Sequence, residues 1–232
     1  MQIQNNLIHG SFKAGVKDLI FLGSSCIYPK FAKQPIKEKY LLKSYLEKTN
    51  EPYAIAKIAG LKMCESYNKQ YGLNYKCLMP CNMYGPKDNY DIETSHFFPA
   101  IIKKFYLALI KGKKNIDLWG DGTPKRELMY SEDLAEACNF FINKKTKETL
   151  INVGSGKDMT IKQYAYFIKD QLNLNIDIKF NNQKVINGTP RKLLDISLAK
   201  SYGWKPKTSL KLGFSKTYNS FLEEVSKRKI FN

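Results

Sequence analysis

The run Asp18-Leu19-Ile20-Phe21-Leu22-Gly23-Ser24-Ser25-Cys26 decides the fold. A short apolar stretch closed by small residues predicts a buried strand whose C-terminal end opens onto a crevice, where active sites of α/β sheets lie. Downstream, apolar and small residues recur at helical spacing from Pro52 to Tyr71, with Pro52 in the first turn and Gly72 just past the end, which predicts one long helix. Asn74 to Met79 predicts the next strand, closed by the turn-rich Pro80 to Asn89. Strand, helix, strand implies a crossover and a parallel sheet, so the class is α/β.

Beyond it the pattern predicts an apolar-periodic segment from Phe97 to Leu109, a short strand near Ile116 to Trp119 and the turn Gly120-Asp121-Gly122-Thr123-Pro124. Ser131-Glu132-Asp133 opens a helix running through Phe141, and Leu150 to Val153 predicts a strand returning to the sheet. Thr160 to Leu172, a polar loop around Asn181 to Asn187 and a helix from Leu210 to Lys227 complete the chain. The expected division is a Rossmann-like part, 1–92 and 132–154, and a smaller α/β lobe, 93–131 and 155–232.

At 232 residues and 43% hydrophobic, the chain is long enough for a substantial core. Its apolar runs fall far short of the roughly 20 residues of a membrane span, so no membrane partner is expected. Met1 to Asn6 carry neither a basic nor an apolar leader region, so no signal peptide is read. Cys26, Cys64, Cys77, Cys81 and Cys138 are irregularly spaced and odd in number, which predicts reduced thiols and a cytoplasmic protein. The charge of +17 is spread along the whole chain, with no basic stripe interleaved with aromatics, no zinc finger and no RNA-recognition motif. Nucleic acid and metal are therefore not expected as partners. Only Arg126, Arg191 and Arg228 among 38 basic residues are arginine. Arg126 and Arg191 lie in motif-like segments, and a planar guanidinium makes bidentate phosphate contacts that lysine cannot, so both are phosphate candidates.

Tyr53 and Lys57 are four apart on the predicted helix and share one face. A nearby ammonium favours phenolate, which makes Tyr53 a credible proton donor to a carbonyl being reduced. Taken alone, Tyr-x-x-x-Lys on a lysine-rich helix is as well explained by a solvated face. The preceding strand end, Gly23-Ser24-Ser25, reverses that weighting, because a serine hydroxyl there can bond both the phenol and the substrate carbonyl.

Five strings carry a resemblance: Leu22-Gly23-Ser24-Ser25-Cys26-Ile27-Tyr28-Pro29-Lys30; Asn50-Glu51-Pro52-Tyr53-Ala54-Ile55-Ala56-Lys57-Ile58-Ala59-Gly60; Asn82-Met83-Tyr84-Gly85-Pro86 with Asp88-Asn89; Ser95-His96; and Gly188-Thr189-Pro190-Arg191-Lys192-Leu193-Leu194 before Asp195. Together they resemble the extended short-chain dehydrogenase/reductase family, and within it the enzymes that act on GDP-linked keto sugars. The resemblance implies the C-terminal part of a Rossmann-like doubly wound parallel sheet plus a substrate-binding lobe, a GDP-sugar substrate, NADP (NADPH) as cofactor and a homodimer. It implies epimerisation of GDP-4-keto-6-deoxy-D-mannose at C3 and C5, then NADPH-dependent reduction of the 4-keto group.

By the same resemblance, Cys26 and His96 match the base and acid of the epimerisation, Ser24 and Tyr53 stabilise the carbonyl oxygen, and Lys57 tunes Tyr53 and holds the nicotinamide ribose. Leu22, Gly23, Ser24, Ser25, Lys57, Pro80, Cys81, Asn82, Met83 and His96 match the cofactor side. Asn82, Lys104, Trp119, Arg126, Asn187 and Lys192 match nucleotide-sugar positions. Lys104 stands where arginine is common and Asn187 where aspartate is common.

The family's phosphate-binding strand, Gly-rich turn and helix are expected ahead of Asp18, and nothing of that kind stands there. The expected shortfall is about 80 residues, at about 30 per βαβ unit, supplied by a separate N-terminal piece or lost in a truncated relic. Gly154-Ser155-Gly156 lacks the spacing to substitute for it. One alternative stays open, a nucleotide-sugar-binding module without redox chemistry; another nucleotide-sugar epimerase or reductase of the same fold is disfavoured by Cys26 and His96 together.

Overall fold

The computed structural model describes residues 1–181 and 189–228. Helix α1 (Gln2–Lys13) precedes β1 (Asp18–Leu22), the strand predicted from the opening run. The long helix forms as α2 (Glu51–Tyr71), with Pro52 in its first turn. Gly72 ends it at φ +65°, a left-handed conformation that a residue without Cβ adopts freely, and its N–H bonds the Asn68 carbonyl. β2 (Asn74–Pro80) returns parallel to β1, and β6 (Leu150–Val153) adds a third parallel strand, in the order β1-β2-β6.

A second sheet grows from the end of β2. β3 (Asn82–Tyr84) pairs in parallel with β5 (Lys125–Tyr130). β5 also pairs with β7 (Asp158–Thr160), antiparallel, and with the two-residue β9 (Arg191–Lys192), parallel, which flank it on opposite sides because both meet Lys125 and Arg126. β4 (Asn115–Trp119) pairs in parallel with β8 (Asp177–Asn181). The helices are α3 (Phe97–Ile110), α4 (Ser131–Ile142), α5 (Ile161–Gln171), α6 (Ser197–Ser201) and α7 (Leu210–Arg228). Thr160 and Gln163 form a reciprocal capping box at the start of α5. None of the helices among the described residues is long and apolar enough to cross a membrane. All five cysteines are free thiols.

The first core packs Leu78, Met79, Ile151, Val153, Phe141 and Trp204 around the parallel sheet. The second packs Phe98, Phe105, Tyr130, Tyr164, Phe214 and Phe221 around β5, α3, α5 and α7. Gly213 lets α7 seat against β3: a Cβ there would lie 2.2 Å from the hydroxyl of Tyr84 and 3.1 Å from the Tyr130 ring. Because both tyrosines are buried, Gly213→Val is expected to cost about 1–3 kcal/mol by overpacking, read as a lower urea midpoint. An unchanged midpoint would show that α7 does not depend on this close approach.

Candidate active site

The chain reverses sharply after β1. Gly23 has no room for a side chain, since a Cβ would lie 2.3 Å from the end of Met79, and its N–H continues the ladder to the Leu78 carbonyl at 2.9 Å. Ser25–Ile27 then form a single 3-10 turn capped by Ser24, whose hydroxyl oxygen accepts the Cys26 N–H at 3.3 Å. That bond fixes the Ser24 side chain and leaves its O–H hydrogen to donate elsewhere. Cys26, in the middle of the turn, is half-buried.

A cavity of about 700 Å³ opens where the C-terminal ends of β1 and β2 meet. Gly23, Ser24, Ser25 and Cys26 form one wall, Tyr53 enters from the first turn of α2, Pro80 to Met83 form the floor after β2, and His96 stands at the far rim. His96 occupies the N-cap position of α3, and its ring makes no capping bond there. Residues as far apart in sequence as Gly23 and Ser131 thus face one space, as expected at the strand ends of an α/β sheet.

Lys57 does not bond the Tyr53 phenol. Its ammonium donates to the Leu22 carbonyl at 2.8 Å and lies 5.7 Å from the Tyr53 ring centroid and 5.1 Å from that of Phe21. The lysine is thereby tied to the end of β1 beside the Tyr53 ring.

On the other side of Cys26, the Lys192 ammonium lies 3.4 Å from the sulfur. Arg126 pairs with Lys192 in the β5–β9 register, and neither residue is among those that line the cavity. Burial pulls the Arg126 guanidinium below its ordinary pKa, and it donates to the Lys125 carbonyl at 2.8 Å. The Arg191 guanidinium, read above as a phosphate candidate, is engaged bidentately by the Asp158 carboxylate at 2.5 and 3.2 Å, which ties β9 to β7. Lys104 donates to the Asp117 carbonyl at 2.7 Å and sits over the Trp119 ring at 5.2 Å, a pair separate from the cavity walls. Asn187 lies outside the described residues.

Several wall residues were not singled out as site residues from the sequence. Tyr84, Asp88 and Ser131 line the same cavity. Burial raises the Asp88 carboxyl above its ordinary value, with the nearby His96 opposing it. Behind the wall, Glu127 is 1% exposed and burial pushes its carboxyl up to about 7. The folded chain thus holds a proton that the unfolded chain gives up near 4.5. The resulting stabilisation is full below that value and is lost as pH rises through about 7, on the order of 3 kcal/mol. Glu127→Gln is expected to remove this dependence. Urea midpoints at pH 5 and pH 8 that keep the wild-type difference in the variant would refute it.

The profile of the NAD dependent epimerase/dehydratase family matches residues 1–154. GDP-L-fucose synthase of Sinorhizobium fredii is 48% identical over 224 residues, covering 97% of this chain and 71% of that protein. GDP-L-colitose synthase of Yersinia pseudotuberculosis is 41% identical, covering 97% of this chain and 73% of that protein. A solved structure of a GDP-L-fucose synthetase from Naegleria fowleri bound to NADP superposes with a TM-score of 0.87 at 26% identity, over 96% of this chain and 71% of that one. With the strand-end cavity and its Ser-Cys-Tyr-His wall, these likenesses show that the chain belongs to the NAD dependent epimerase/dehydratase family, in its GDP-L-fucose synthase branch.

Proposed function

We propose that the chain epimerises GDP-4-keto-6-deoxy-D-mannose at C3 and C5 and takes part in the NADPH-dependent reduction of the 4-keto group to give GDP-L-fucose. The observation that carries this reading is the convergence of Ser24, Cys26, Tyr53 and His96, from three separate elements, on one cavity. The hydrogens at C3 and C5 are acidic because they flank the ketone. Cys26 and His96, on different walls, take and return protons at those carbons, while the Ser24 and Tyr53 hydroxyls stabilise negative charge on the carbonyl oxygen. Tyr53 then gives its proton to that oxygen as the ketone is reduced. Arg126 and Lys192 take the diphosphate, with Lys104 and Trp119 toward the nucleotide.

NADPH, when bound, supplies the hydride. The cavity fits its nicotinamide end: Gly23 admits no side chain, Leu22 to Ser25 and Pro80 to Met83 offer closely packed backbone, and Lys57 is fixed beside Tyr53. The pyrophosphate end finds no comparable glycine-rich cradle among the described residues. β1 is the outer strand of its sheet, and we place there the further strand and phosphate turn of the family's dinucleotide fold, supplied by polypeptide outside these 232 residues. On this reading the 232 residues alone show no saturation with micromolar NADPH in a fluorescence titration. Saturation in that range would place the cradle within them.

We assign a homodimer contact to the α1–α2 side, where Ile3, Leu7 and Ile55 are exposed, and a cytoplasmic location consistent with the five free thiols. The catalytic reading is tested by deuterium wash-in: in heavy water the keto sugar should gain deuterium at C3 and C5 without consuming NADPH. Tight binding of the GDP-sugar with no exchange would instead favour a binding module.

A further inference from the structure

Glu127 plays no part in the chemistry above, yet it is a buried carboxylate that accepts three hydrogen bonds. Its Oε1 accepts the Gly156 N–H at 2.6 Å and the Ser155 hydroxyl at 3.4 Å, and its Oε2 accepts the Leu194 N–H at 2.8 Å. Room for this arrangement comes from Gly154, where a Cβ would lie 2.4 Å from Oε1. One side chain on β5 thereby joins the turn after β6 to the residues that follow β9.

The consequence concerns β9. This strand has two residues and meets β5 only through Lys125 with Arg191 and Arg126 with Lys192. So short a ladder specifies register weakly; a backbone bridge adds to it, with the Ile36 N–H on the Leu193 carbonyl at 2.7 Å and the Asp195 N–H on the Ile36 carbonyl at 2.8 Å, and side chains supply the rest. Gln34 accepts the Leu193 N–H at 2.9 Å and donates to the Arg191 carbonyl at 3.2 Å, while Glu127 holds Leu194. Lys192 lies between these anchors, its ammonium 3.4 Å from the Cys26 sulfur.

We propose that Glu127 is a positioning residue for the substrate site: its carboxylate bridge from β5 to the Gly154–Gly156 turn and to Leu194 sets where Lys192 stands beside Cys26. The proposal rests on the reading of Lys192 as a nucleotide-sugar contact. A carboxylate suits this place because its two oxygens face two N–H donors. A glutamine has one acceptor oxygen and would turn its amide N–H₂ toward the other donor, leaving a buried group unpaired.

The test is a double-mutant cycle on affinity for GDP-4-keto-6-deoxy-D-mannose, measured by calorimetry with the wild type. Lys192→Ala and Glu127→Gln are each expected to weaken binding by about tenfold, and the double variant by no more than about twofold beyond Lys192→Ala. A general structural role would give additive losses near about 100-fold, which overturns the proposal. So would wild-type affinity in Glu127→Gln when Lys192→Ala is weakened. Wild-type affinity in Lys192→Ala refutes the reading of Lys192 itself, and the proposal with it. Should Glu127→Gln not fold, Glu127→Asp keeps the charge but is too short to span both donors, and the same cycle and outcomes apply to it.

Discussion

Replacing Cys26 by serine is expected to lower deuterium incorporation at C3 and C5 of the keto sugar by about 100-fold or more, the span commonly lost with a general base. The substitution changes one atom and keeps a side chain that fits the 3-10 turn between Ser25 and Ile27. What it removes is a group acidic enough to form the base the step needs: a thiol ordinarily ionises near about 8.5, an alcohol far higher. Cys26 lines the cavity with an ammonium 3.4 Å from its sulfur, whereas an alkoxide in the same place is out of reach at neutral pH. Calorimetric affinity for the GDP-sugar is expected to stay within about twofold, so that the loss falls on turnover rather than binding. Exchange at the wild-type rate in folded Cys26→Ser would remove Cys26 from the chemistry and leave His96 or a solvent base to account for it.

The part of this site that the sequence made legible is the part built from local rules. The strand from Asp18, the helix from Pro52 to Gly72 and the strand from Asn74 are each set by short-range periodicity and end signals, and their order fixes a parallel crossover that brings Ser24, Cys26 and Tyr53 to one strand end. β5 was not legible, because Lys125 to Tyr130 shows no alternation after its turn and is held as a strand by β3, β7 and β9 from both sides. Glu127 follows from the same cause. Its partners Ser155, Gly156 and Leu194 lie 28, 29 and 67 residues away, so no spacing rule announces a buried carboxylate there. Arg191 shows the converse limit: an arginine in a motif reads as a phosphate ligand until Asp158, from β7, is seen to occupy it.

Tyr53→Phe is expected to separate the two half-reactions. The phenylalanine ring keeps the shape of the first turn of α2 and the seat of Lys57, whose ammonium is held by the Leu22 carbonyl and not by the phenol. Only the hydroxyl is lost. In reduction that hydroxyl is the proton source for the oxygen of the ketone, and no other donor on the cavity wall pairs a phenol's acidity with a nearby fixed cation. NADPH oxidation with the keto sugar should therefore fall by about 100- to 10,000-fold, followed as loss of NADPH fluorescence in the reconstituted enzyme. Exchange at C3 and C5 should suffer much less. There the oxygen needs only stabilisation of its charge, and the Ser24 O–H, fixed by the Cys26 N–H and free to donate, continues to supply it. The two variants then give opposite patterns, with Cys26→Ser losing exchange and Tyr53→Phe losing reduction. Equal loss of both activities in Tyr53→Phe would mean that the phenol, not Ser24, carries the carbonyl charge throughout, and that the two half-reactions share one oxyanion donor.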